Sequence, residues 1–81
     1  MKIAYSLGAA KAIRAAPRVI QQTLYKQVRF LENDLHHPSL RAKKYDEARD
    51  LWQARINRDW RFYFTIEGDT YRIQNITPHP K

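Results

Sequence analysis

Apolar residues recur with two periods along this chain, and the period changes past its middle. Ile20, Leu24, Val28, Leu31 and Leu35 follow one another at steps of four, four, three and four, a single stripe on an amphipathic helix. Gln21, Gln22, Lys26, Arg29 and Glu32 fall on its other sides. Asn33-Asp34 and then His36-His37-Pro38 end it, because the residue before a proline is pushed out of the helical region. Upstream, residues Ala9 to Ala16 are rich in alanine, the best helix former. Ser6 can cap this helix and Gly8 allows the turn into it, while Pro17 interrupts it and suits the first turn of the next. Ahead of both, Lys2 to Leu7 alternates, with Ile3, Tyr5 and Leu7 on one side, and reads as a short strand.

The second half follows period 2. Leu51 to Ile56 sets Trp52, Ala54 and Ile56 against Gln53 and Arg55. Trp60 to Glu67 sets Trp60, Phe62, Phe64 and Ile66 against Arg61, Tyr63, Thr65 and Glu67. Asn57-Arg58-Asp59 and Gly68-Asp69 are turn chemistry. Tyr71 to Ile76 is the last strand, with the faces of Asn75 and Ile76 undecided. The expected fold is α+β. A short N-terminal strand precedes a helical hairpin, which packs on one face of a mostly antiparallel sheet of about four strands. Residues 1–81 form one domain, and the other sheet face is open and basic.

Composition narrows the chemistry. The 81 residues are 43% hydrophobic and 12% aromatic, enough for one core and too much for a disordered tail. Cysteine is absent, which excludes a disulfide scaffold and a thiolate zinc site. The two glycines, Gly8 and Gly68, build no phosphate-cradling loop, and no carboxylate cluster suits metal-assisted hydrolysis. His36 and His37 are adjacent, a poor arrangement for a shared ion. No metal and no cofactor is therefore expected. Neither a signal peptide nor an apolar run near the roughly 20 residues that cross a bilayer is present, so the expected compartment is the cytoplasm, away from membranes.

Charge adds a partner. Fifteen Lys/Arg against eight Asp/Glu give a net +7. Lys2, Lys11, Arg14, Arg18, Lys26 and Arg29 precede the first acidic residue, Glu32, so residues 1–31 carry a local +6. The remainder is nearly balanced. Such a footprint points to a polyanion such as nucleic acid, or to an acidic protein that neutralises it; a merely solubilising basic face is the alternative.

Period 2 puts Arg55 and Arg61 on the same non-core face of neighbouring strands. Two adjacent guanidiniums repel unless an anion lies between them, and each offers a planar fork that fits phosphate. Pairing with Asp50, Asp59 or Glu67 is the competing expectation. His79, between Pro78 and Pro80, has a restricted backbone and a ring able to exchange protons at cellular pH, unless it belongs to a frayed tail. Arg41, Lys43 and Lys44 form a basic run in the loop leading to the sheet, where a polyanion crossing the open face would pass. His37, Arg41, Lys43, Lys44 and Lys81 are the candidate contacts to a nucleic acid.

The segment HPSLRAKK, the hairpin LWQARI-NRD-WRFYF and the terminal ITPHPK resemble the RelE/ParE superfamily of type II toxin–antitoxin toxins, over essentially the whole chain. The resemblance implies ribosome-dependent cleavage of mRNA in the manner of RelE, YoeB and YafQ. Arg61 matches the family's phosphate-binding arginine, Arg55 a basic residue of the preceding strand, and His79 the late histidine near the leaving group. The aromatic residue usual after that histidine and the loop glutamate of YoeB-like toxins have no counterpart. Cleavage by the RNA's own 2′-hydroxyl needs a base there, cations at the phosphorane and an acid at the leaving 5′-oxygen. Arg55 and Arg61 suit the second task and His79 the third, with Lys43, Lys44 or His37 supplying the base or holding the backbone. The implied partners are mRNA, the ribosome and a cognate antitoxin whose acidic or amphipathic segment covers the basic surface, with DNA reached only through that antitoxin. A ParE-like toxin that inhibits DNA gyrase without cutting RNA shares the fold and is the alternative; an inactive, antitoxin-held binding module is a third reading.

Overall fold

The computed structural model describes residues 1–79. Strand β1 (Lys2–Tyr5) leads into helix α1 (Leu7–Ala15) and helix α2 (Arg18–Asn33). Strands β2 (Lys43–Asp46), β3 (Leu51–Arg55), β4 (Trp60–Glu67) and β5 (Thr70–Pro78) follow. They form one five-stranded sheet in the order β1-β5-β4-β3-β2. β1 runs parallel to β5, and the other three pairings are antiparallel.

Capping sets where β1 gives way to α1. The Ser6 hydroxyl accepts the Ala9 amide at 3.0 Å and donates to the Gln74 carbonyl at 3.1 Å. It thereby satisfies one of the helix's orphan donors and ties the helix start to β5. The first strand is accordingly shorter than its alternation suggests. Leu7, expected on the strand, opens α1 and is 73% exposed, and Gly8 lies inside that first turn. Pro17 stands at the N-cap of α2, where its missing amide costs nothing.

The helical stripe meets the sheet as its period requires. Ile20, Leu24, Val28 and Leu31 of α2 and Ala9 and Ile13 of α1 share one cluster with Ala54, Ile56, Phe62, Phe64, Tyr71, Ile73 and Ile76. Leu35 falls beyond the end of α2 and is only partly buried. The expected four strands become five because residues 43–46, read as loop, form the edge strand β2. A short, lysine-rich edge of this kind carries no apolar alternation and blunts strand addition.

The faces of Asn75 and Ile76 follow from a bulge. Tyr63 pairs with Asn75 but Phe64 pairs with Ile73, so β5 carries one extra residue there. Tyr71, Ile73 and Ile76 can all enter the core despite their broken alternation, while Gln74 and Asn75 turn to the other side. Such bulges re-aim side chains.

Candidate functional site

The tight β3–β4 turn builds the site. The Asn57 side-chain oxygen accepts the amides of Asp59 at 2.8 Å and Trp60 at 3.0 Å, an Asx turn that sets the hairpin register. That register makes Arg55 and Arg61 direct cross-strand partners, both on the face away from the helices. Arg61 is aimed by the same turn. Its Nη1 donates to the carbonyls of Asn57 at 2.8 Å and Trp60 at 3.0 Å. Among the described residues nothing accepts from its Nε or Nη2, which leaves one edge of the fork for a ligand.

Three further groups converge here. The His79 amide donates to the Asp59 carbonyl at 2.6 Å, which docks the residue after β5 against the turn. Lys43 stands opposite Gln53 in the β2–β3 register, on the open face. Arg41 is held in a left-handed conformation with φ 46°. A non-glycine residue there carries strain on the order of 1–3 kcal/mol, a cost that tends to mark functional positions. Arg41, Lys43, Arg55, Arg61 and His79 line one cavity of about 230 Å³, floored by Gln53 and Ala54. Desolvation, and then the like charges of Arg41 and Arg61, hold the Arg55 guanidinium below the ordinary arginine range, although it stays charged. Among the described residues no carboxylate forms a salt bridge with any of these four cations. Of the acids that competed for the arginines, Asp50 binds Lys44 and Glu67 binds Arg72 at 3.2 Å. A cavity lined by uncompensated positive charge is a site for an anion.

Two other candidates lie elsewhere. Lys44 pairs in register with Trp52 and so faces the helix side, one residue out of phase with Lys43. Its ammonium is held by Asp50 and Glu47 and lies 5.2 Å from the centre of a Trp52 ring, and the hydrogen bond to Asp50 raises its pKa. His37 stacks on Phe30 with ring centres 3.9 Å apart, and its Nδ1 accepts the Ser39 amide at 3.1 Å. Neither lines the cavity. Lys81 lies outside the described residues.

Sequence periodicity passes over one supporting residue, Gln27. It is buried within the apolar side of α2, and its Nε2 donates to the carbonyls of Ser39 at 3.1 Å and Arg55 at 2.9 Å. Its Oε1 accepts the Ser39 hydroxyl at 3.0 Å. One carboxamide thus clamps the segment before Arg41 and the end of β3 to the helix. The variant Gln27→Leu, although more apolar, strands these groups and is expected to cost about 1–3 kcal/mol. Urea denaturation measures the loss.

No protein-family model matches the chain, and no curated protein does. Solved structures do. The YoeB/ParE toxin from Agrobacterium tumefaciens superposes with a TM-score of 0.81 at 13% identity, covering 99% of this chain and 100% of that one. The archaeal RelE–RelB complex from Pyrococcus horikoshii gives 0.80 at 16%, covering 99% and 96%. The heterotetrameric YoeB–YefM toxin–antitoxin complex from Staphylococcus aureus gives 0.77 at 13%, covering 99% and 98%. The chain has the fold of RelE- and YoeB-type toxins.

Proposed function

We propose, from this fold and the cation cavity on its open face, that the chain is the toxin of a type II toxin–antitoxin pair and acts as a ribosome-dependent endoribonuclease on mRNA. The observation that carries the reading is the cavity of Arg41, Lys43, Arg55, Arg61 and His79, which the described acids leave uncompensated. In the reaction the 2′-oxygen attacks the adjacent phosphorus and loses its proton to a base, while the 5′-oxygen leaves and takes up a proton. The products are a 2′,3′-cyclic phosphate and a 5′-hydroxyl end. Arg55 and Arg61 stabilise the charge of the phosphorane, where fixed donors are most effective. His79, tethered beside them, protonates the leaving oxygen. Lys43 is the only one of the three candidates for the 2′-hydroxyl proton that lines the cavity, and Arg41 holds the backbone.

The antitoxin is the second partner. Residues 1–31 contain no acid, and the helices expose Leu7, Val19 and Tyr25 at 73%, 64% and 45%. Basic charge beside exposed apolar groups suits an amphipathic acidic segment. The relative crystallised with YefM is described as a toxin–antitoxin complex, which supports such a pairing. Primer extension on cellular mRNA after induction tests the enzyme. Discrete cuts near codon boundaries are expected; induction of the DNA-damage response with uncut mRNA would instead mark a gyrase inhibitor.

A further inference from the structure

We propose that the open face carries a second subsite, a groove beside the cation cavity that takes one unpaired nucleobase of the RNA whose phosphate the arginines hold. The inference rests on the RNA-binding reading above. The groove has a volume of about 670 Å³, within the range of small-molecule sites. Its walls include Tyr45, Tyr63, Thr65, Gln74, Asn75 and Thr77.

Three features select a base rather than another phosphate. First, the tyrosine rings of β2 and β4 meet edge to face with centres 5.0 Å apart, and Tyr45 remains 54% exposed. Exposed aromatic faces stack unpaired bases. Second, the β5 bulge delivers two consecutive carboxamides, Gln74 and Asn75, to one wall. Gln74 Nε2 donates to the Thr65 hydroxyl at 3.1 Å and Asn75 Oδ1 accepts the Ile76 amide at 2.9 Å. This leaves the Gln74 oxygen as acceptor and the Asn75 amide as donor, a pair that can read a base edge. Third, the one cation on the lining, Arg49, is already bound to Asp46 at 2.7 Å, so the groove offers little to a second phosphate.

The two sites adjoin. Gln53 lines the cation cavity and donates to the Tyr63 hydroxyl at 3.2 Å. Thr77 of the groove is the cross-strand partner of Arg61. Tyr63 lies two residues from Arg61, about 7 Å along the strand, within reach of a base on the nucleotide whose phosphate sits at the arginines. The groove therefore selects what lies next to the phosphate, and it belongs to substrate choice rather than to bond cleavage.

Fluorescence anisotropy tests this with the full chain and two 2′-O-methyl RNA tetranucleotides, which cannot be cut, one of them abasic at a single position. The intact oligomer is expected to bind about 5- to 150-fold more tightly, the range for one stacked base. Tyr45→Ala, at an exposed position, should reduce that ratio, and Tyr45→Ala combined with Tyr63→Leu should bring it close to one. Arg61→Ala should weaken both oligomers alike. Equal affinity for the two oligomers, no measurable binding of either, or a ratio untouched in the double variant overturns the proposal. Because no cleavage is read, a chain that fails to cut mRNA but keeps the ratio would overturn the nuclease reading alone.

Discussion

On the proposed nuclease reading, replacing Arg61 with alanine is expected to slow mRNA cleavage by about 10²–10³-fold, the usual effect of removing one fixed donor from a developing oxyanion, and to relieve growth arrest on induction. The size follows from how the side chain is held. Its Nη1 is anchored by carbonyls of the β3–β4 turn, so the remaining edge of the fork is oriented before the phosphate arrives. Arg61→Lys keeps a positive charge but loses both the anchor and the bidentate edge, and should recover only part of the activity. Primer extension after matched induction measures the cut, and circular dichroism melts separate lost chemistry from lost fold. An Arg61→Ala protein that melts normally and still cuts mRNA at the wild-type rate would take Arg61 out of the mechanism.

The legible parts of this molecule are those where one local rule decides. Trp60–Glu67 is a strand end to end because four large apolar residues alternate with four polar ones. The Arg55–Arg61 pairing was readable because a short polar turn fixes a hairpin register. β2 was not. Lys43–Asp46 has no apolar period, and its strand character comes from pairing with β3. Had those residues been assigned to a strand, the same period-2 rule would have split Lys43 from Lys44 and sent only the first to the open face. The bulge at Gln74 and Asn75 lacks the glycine that often marks one, and an asparagine near a strand end reads equally well as the approach to a turn. The groove it lines draws on β2, β3, β4 and β5 at once, and no spacing in the sequence joins Tyr45 to Tyr63 or either to Asn75. Arg41 is the extreme case. Its place in the cavity depends on a left-handed backbone that a sequence normally advertises with glycine or asparagine, and here neither is present.

Phe62→Ala should have the largest effect on stability, because the ring is among the largest fully buried side chains of the core. Phe62 is fully buried, in register with Ala54 on β3 and Ile76 on β5, and its ring centre lies 5.9 Å from that of Phe64. Its truncation is expected to cost about 3–5 kcal/mol. For a chain of 81 residues, marginal stability implies a total of only about 4–12 kcal/mol, so the loss is about a quarter or more of what holds the fold. In urea the midpoint should fall sharply at a nearly constant slope, and the melting temperature by more than about 12 °C. The consequence reaches the open face, since Phe62 lies between Arg61 and Tyr63 and its burial holds in place the strand that presents both. A ligand that binds only the folded state offsets the loss by mass action. On the toxin reading proposed above, adding the antitoxin partner should therefore restore part of the melting temperature in Phe62→Ala, and more of it at higher concentration. A variant whose melting temperature stays within about 4 °C of the parent would show that the helices and the sheet cohere without this ring.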